Sequence, residues 1–229
     1  MTLGLLARRG AELARVAAAC APARVVIYTG DVRDSAALAH VGEDFISRFG
    51  VPDVVIANAG VSRGTLTEFA EDLPAFRSVL DTNVMGIVNA FQPFVAAMRE
   101  AQRGALVGIA SIAGFRGIPG SGAYSASKAA AICYLESLRV ELHGSGVSVI
   151  TVCPGYIATP MTERNPYRMP FLQQPEVAAR KIANAIAARR RFYVLPWQMA
   201  VAGRALRLLP RPLYDRMFAN APRKPRRSD

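Results

Sequence analysis

Gly122-Ala123-Tyr124-Ser125-Ala126-Ser127-Lys128-Ala129-Ala130-Ala131 is the stretch on which the reading of this chain turns. From Ser125 to Arg139 the residues are good helix formers with no Gly or Pro, so the pattern predicts a helix. Tyr124 and Lys128 lie four residues apart, one helical turn, and therefore share a face and can address one ligand. An ammonium held near a phenol favours the phenolate and lowers the tyrosine pKa from its usual value of about 10. That would make the tyrosine a usable general acid and base near neutral pH. Alone, the pair is more often two surface residues of an ordinary helix, so its neighbours decide.

Upstream, Ala105-Leu106-Val107-Gly108-Ile109-Ala110 is short and apolar throughout, as a buried parallel strand should be. Ser111 follows it, at the strand end where open α/β sheets place their ligands. A second apolar run, Val54 to Ala57, leads into Asn58-Ala59-Gly60, whose glycine permits close backbone approach to a ligand. Strands over Leu3–Ala7, Arg24–Tyr28 and Asp53–Ala57 alternate with helices over Ala11–Ala21 and Ser35–Phe49. A long helix is expected over Pro74–Ala101, with the polar Asn83 in its middle. A strand over Val147–Val152, a helix over Pro175–Arg189 and a final strand over Phe192–Leu195 complete the alternation, which argues a doubly wound parallel sheet. The loop Gly114–Gly122 reads as flexible and pocket-lining, with Phe115 and Ile118 either walls or packing.

In order and spacing, Gly30-Asp31-Val32, Asn58-Ala59-Gly60, Asn83, Ser111, the Tyr124/Lys128 pair and Pro154-Gly155-Tyr156-Ile157-Ala158-Thr159 resemble the short-chain dehydrogenase/reductase family over about residues 5 to 165. The resemblance implies an α/β, Rossmann-like fold and hydride transfer between a nicotinamide and a carbonyl or alcohol. Tyr124 would exchange the proton, Ser111 would polarise the substrate oxygen, Lys128 would tune Tyr124 and grip the nicotinamide ribose, and Asn83 would stand at a helix kink ordering a proton relay. Asp31 and Val32 would flank the adenine. Asn58, Ala59 and Gly60 would approach the cofactor, Pro154 and Gly155 would turn the chain over the nicotinamide, and Ile157 and Thr159 would bind its carboxamide. Ala7 resembles the position where the family places an acidic residue for NAD. Arg8 and Arg9 follow instead, and an arginine fork suits a phosphate, so the resemblance implies NADP rather than NAD. Their plain alternative is a solvated basic pair. Met161–Gln174 resembles the variable substrate lid, with Tyr167, Met169 and Phe171 suited to a lipophilic ligand. A homodimer or homotetramer, packed through the helices starting near Pro74 and Tyr124, is implied as well.

The family's opening strand, glycine-rich TGxxxGxG turn and helix have no counterpart here. The expectation is a sheet lacking its central strand, whose neighbours are left unpaired or forced together. Either Met1 is really internal to a longer enzyme, or the chain is a truncated, cofactor-free remnant acting as an interaction protein.

Composition narrows the classes further. Residues 1–196 read as one truncated dinucleotide-binding and catalytic domain, and 197–229 as a basic amphipathic extension. The net charge is +11, but ten Arg and one Lys against Asp215 and Asp229 place +9 of it between Arg189 and Asp229. With a near-neutral body and no basic-aromatic reading surface, nucleic acid is not an expected partner. Trp197–Phe218 mixes apolar residues with arginines, which suits packing on the body or a partner subunit, or else weak contact with a membrane surface. Pro222–Asp229 reads as disordered. Three scattered cysteines suggest reduced thiols in the cytoplasm, and two distant histidines signal no metal.

Overall fold

The computed structural model describes residues 1–163, 165 and 167–226. Its strands are all parallel and form two sheets. β1 (Thr2–Ala7) pairs with β2 (Arg24–Thr29), while β3 (Val54–Ala57), β4 (Gly104–Ile109), β5 (Val147–Pro154) and β6 (Phe192–Leu195) lie side by side in that order. The α/β class expected from the sequence is present, and of the two outcomes expected at the missing central strand the structure shows the first. Among the described residues β1 and β3 have no strand on their outer sides, and Val54 and Ile56 of β3 stay exposed.

Helices hold the two pieces together. α1 (Gly10–Ala19) covers the small sheet, and α2 (Ser35–Phe49) starts where the Asp34 carboxylate accepts the Ala37 N–H at 3.0 Å. One side of α2 meets the small sheet, where the Phe45 ring fills the space above Gly4. Its other side meets α4 (Gly86–Glu100), where Phe45 sets its edge to Phe94 and Gly42 abuts Pro93. Asn89 of α4 also donates to the Val32 carbonyl at 2.9 Å. The main core lies between β4, β5, α4 and α5 (Gly122–Glu141), built from Phe91, Met98, Leu106, Leu135 and Cys153, with α6 (Pro175–Ala187) on the opposite face.

The long helix expected over Pro74–Ala101 is divided in three, with the irregularity at Asn83, where the resemblance implied a kink. The segment is α3 (Leu73–Leu80), a π-helical turn over Asp81–Met85, and then α4. The wide turn rotates Asn83 into the interior, where it is fully buried. Such π turns commonly mark functional sites.

After β6, α7 (Trp197–Leu208) and α8 (Arg211–Phe218) pack back on the body. Phe115 is therefore packing rather than pocket wall: it sits against Gly203 of α7 and stacks on Phe192 at 6.2 Å. The loop expected to be flexible is pinned. Arg116 donates to the carbonyls of Leu206 and Leu209 at 2.9 Å and lies 4.2 Å over the Tyr214 ring. The tail expected to be disordered is ordered as far as Arg226, while Arg227–Asp229 lie outside the described residues.

A side chain at residue 42 would set its Cβ 2.3 Å from that of Pro93, a rigid neighbour. Gly42→Ala should therefore destabilise the fold by about 1–3 kcal/mol in urea unfolding, despite the ~1 kcal/mol helix-propensity gain.

Candidate active site

Every strand but β6 contributes to a site at the C-terminal ends of the sheets. α5 runs against β4 and presents Tyr124 and Lys128 beside Ser111. The close approach depends on Gly114: a Cβ there would lie 2.6 Å from the Lys128 carbonyl carbon. Ser111 caps the short turn Ile112–Gly114, accepting the Ala113 N–H at 3.1 Å, and its hydroxyl faces the Pro154 carbonyl at 3.5 Å.

Asn83 is the junction of the site. It accepts the Val61 N–H at 2.8 Å, donates to the Val61 carbonyl at 2.9 Å, and donates to the Ser127 hydroxyl at 2.9 Å. Ser127 in turn donates to the Tyr124 carbonyl at 2.8 Å. The loop after β3, the π turn and the start of α5 are thereby locked together. Ser127 was missed in the sequence reading; its position three residues after Tyr124, on the same helix face, was the available signal.

Lys128 is only 4% exposed. Its ammonium donates to the Ile109 carbonyl at 2.8 Å and stands 5.9 Å from the centre of the Tyr124 ring. Burial pushes it down to about 8. The expectation that Lys128 lowers the Tyr124 pKa is corrected. Burial holds the phenol above its ordinary value, and the opposing pull comes from a hydrogen bond with Ser111. The ammonium spends its hydrogen bond on the Ile109 carbonyl. Cys153, fully buried beside this group, is pushed up to about 12 and stays a neutral thiol.

At the ends of β1 and β2, Asp31 is held down to about 2, chiefly by Arg33, which forks onto both carboxylate oxygens. Arg33 was not foreseen; its place two residues after Asp31 was the cue. Arg8 stands 4.0 Å from Asp31 with its side chain 66% exposed, and Arg9 precedes α1 with no side-chain cap. An open cavity of about 490 Å³ lies beside Asp31, bounded also by Arg33, Asp81 and Asn89. Val32 packs on Gly86, and exposed Asn58 and Ala59 precede Gly60, whose absent side chain leaves room 3.5 Å from the Lys128 ammonium.

At the end of β5, Gly155 donates to the Leu195 carbonyl at 2.7 Å, and the Thr162 hydroxyl donates to the Ile157 carbonyl at 2.6 Å. The Thr159 hydroxyl lies 3.4 Å from the same oxygen. Tyr167 meets Tyr156 edge-on, and burial raises its phenol above the ordinary value. Arg164 and Pro166 of the expected lid lie outside the described residues.

The C-terminal tail closes over the loops flanking the site, which the sequence did not suggest. Arg226 donates to Asp72 at 2.8 Å and Glu71 at 2.9 Å, and lies 3.4 Å over the Phe69 ring; Lys224 donates to Ser62 at 2.7 Å. The tail backbone passes so close to Gly64 that a Cβ there would sit 2.5 Å from the Lys224 carbonyl oxygen. Asp72 also accepts the Leu66 N–H at 2.8 Å.

Two outcomes follow from these contacts. Below pH 8 Lys128 is charged in folded and unfolded chain alike, and its desolvation weighs on the fold. Between about 8 and 10.5 the unfolded chain binds more protons, so stability rises with pH. Lys128→Met should thus be most favourable relative to the parent below pH 8, the difference shrinking toward pH 10.5 in chemical unfolding. Arg226→Ala should speed amide exchange at Leu66 roughly tenfold or more by loosening Asp72.

Comparison with known proteins agrees with this geometry. A family model described as short chain dehydrogenase matches residues 1–169. An uncharacterized oxidoreductase of Myxococcus xanthus is 42% identical over 165 residues, covering 71% of this chain and 64% of that protein. A 3-oxoacyl-(acyl-carrier-protein) reductase of Thermotoga maritima is 34% identical over 145 residues, covering 63% of this chain and 58% of that protein. The chain thus spans less than two thirds of the length of either. The structure of ElxO with NADP bound superposes with a TM-score of 0.72 at 25% identity, covering 84% of this chain and 85% of that one. With its tyrosine, lysine, serine and asparagine gathered on a parallel sheet, the chain belongs to the short-chain dehydrogenase family.

Proposed function

We propose that this chain is the catalytic part of an NADP-dependent oxidoreductase that reduces a lipophilic carbonyl. The observation that carries the reading is the cluster of half-buried Tyr124 with buried Ser111, Lys128 and Asn83. The Tyr124 phenol, raised by burial, keeps its proton at neutral pH, and Ser111 stands beside it. A carbonyl oxygen placed between them would accept hydrogen bonds from both hydroxyls and take the Tyr124 proton as negative charge develops.

The residues at the two ends of the site suit a dinucleotide. Lys128 is a buried cation with a single backbone acceptor, leaving donors for a ribose hydroxyl, and the missing side chain of Gly60 opens space beside it. Arg8, exposed at the end of β1, suits a ribose phosphate. When bound, the nicotinamide supplies the hydride. Lys128, with a pKa near 8, can give up and regain a proton near neutral pH and so restore the proton on Tyr124. Ile157 and Thr159 would orient the carboxamide, and Asn83 holds the loop after β3 in register with α5 throughout.

The apolar lid, with Met161, Phe171 and Leu172 exposed, supports a lipophilic substrate. The relative that reduces a 3-oxoacyl group supports the carbonyl class. Exposed Leu73 and Val140, on α3 and α5, suit the expected homo-oligomer, and three free cysteines suit the cytoplasm. No helix among the described residues is long and apolar enough to cross a membrane. The second reading, a cofactor-free interaction protein, is favoured by the bare edges of β1 and β3.

Titration with NADPH separates the two readings, run on this chain and on one extended upstream in frame. Micromolar binding by either form supports the oxidoreductase, and binding by neither favours the interaction protein. In the form that binds, Tyr124→Phe should leave cofactor affinity nearly unchanged while turnover falls at least a hundredfold, the low end for loss of a general acid. Near-normal turnover would reject the assignment of Tyr124.

A further inference from the structure

The inner face of α7 packs on the body through Met199 and Gly203, and its outer face is left apolar. Trp197, Val201 and Leu208 recur at helical spacing on that outer side, and they are 70%, 58% and 84% exposed. Leu213 and Met217 of α8 add two more exposed apolar side chains. Solvated helix faces do not normally read this way.

This surface is firmly held. Arg116 caps the end of α7, and the Tyr214 hydroxyl ties α8 to the Gly117 carbonyl. The apolar stripe therefore cannot fold inward without breaking these part-buried hydrogen bonds.

Charge identifies the occupant. Arg204 falls inside the stripe, between Val201 and Leu208, and Arg207, Arg211 and Arg216 lie close to it in the sequence, while Asp215 is the only carboxylate between Trp197 and Arg226. A second copy seated by two-fold symmetry would bring this arginine row against its own counterpart, a like-charge contact. A neutral apolar partner would leave the guanidinium groups without acceptors. An anionic lipid surface satisfies both features at once: the headgroup phosphates accept from the arginines, and the apolar side chains sink to the acyl boundary, the depth that tryptophan favours.

We propose that the outer face of α7, extended by α8, docks on the surface of an anionic lipid bilayer. α7 lies flat, about 18 Å long at 1.5 Å per residue. The helices that carry this face lead directly into the tail that closes over Ser62 and Gly64. Docking does not depend on the hydride chemistry proposed above.

Trp197 is the only tryptophan in the chain, so its fluorescence reports the surface directly. The protein is titrated with vesicles of phosphatidylglycerol and phosphatidylcholine, and with vesicles of phosphatidylcholine alone, at low and high salt. The expected result is a blue shift and co-flotation with the anionic vesicles at low salt, weakened by salt and weak on the neutral ones. Leu208→Asp, and Arg204→Glu with Arg207→Glu, should each weaken partitioning at least about tenfold. Circular dichroism and thermal midpoint are read alongside, so a folded variant with parental binding counts against the proposal. Absence of a shift with anionic vesicles overturns it, as does equal binding to neutral vesicles. A shift that grows with protein concentration in the absence of lipid also overturns it, in favour of a second copy.

Discussion

The site depends on one buried amide. Asn83 carries no charge and is fully enclosed, yet every polar atom it offers is used, twice on the Val61 peptide and once on Ser127. A buried amide left half satisfied would cost more than an apolar residue of the same size. The π turn is the device that makes this possible. An unbroken α-helix would give Asn83 a different direction, and both Val61 bonds would be lost. From those bonds follow the path of the loop after β3, the seating of α5 and the place of Tyr124 against Ser111.

The electrostatics of the site follow from burial more than from pairing. Among the described residues no carboxylate pairs with Lys128, and its ammonium rests on a backbone carbonyl. The half-buried phenol is partly desolvated as well, so desolvation acts on the two groups in opposite directions: the lysine is pushed toward releasing its proton and the tyrosine toward keeping its own. Their proton affinities, nearly equal in water, are thereby drawn apart, with the lysine the readier of the two to give up a proton.

Much of this was legible in the sequence because it is local. The Tyr124/Lys128 spacing, the apolar strands before Asn58 and Ser111, and α2 from Ser35 to Phe49 rest on patterns a few residues long, and the structure has these elements at or near the expected bounds. What was hidden depends on distant partners. The helix through Asn83 has an apolar pattern that continues across the π turn, so periodicity alone could not show the break. The direction of the Lys128 ammonium is set by the end of β4, nineteen residues away. The tail reads as disordered because arginine, lysine and proline carry little burial of their own. Its order comes from Asp72 and Phe69, more than 150 residues earlier.

That last separation bears on how the molecule is made. A contact joining Arg226 to Asp72 closes a loop of 154 residues, so it can form only after residue 226 has been synthesised, and it is among the least local contacts in the fold. During synthesis the sheet and α5 can assemble while the loops at Ser62 and Gly120 still lack their cover. Tyr124, Ser111 and Lys128 can thus be in place before the tail covers the loops beside them.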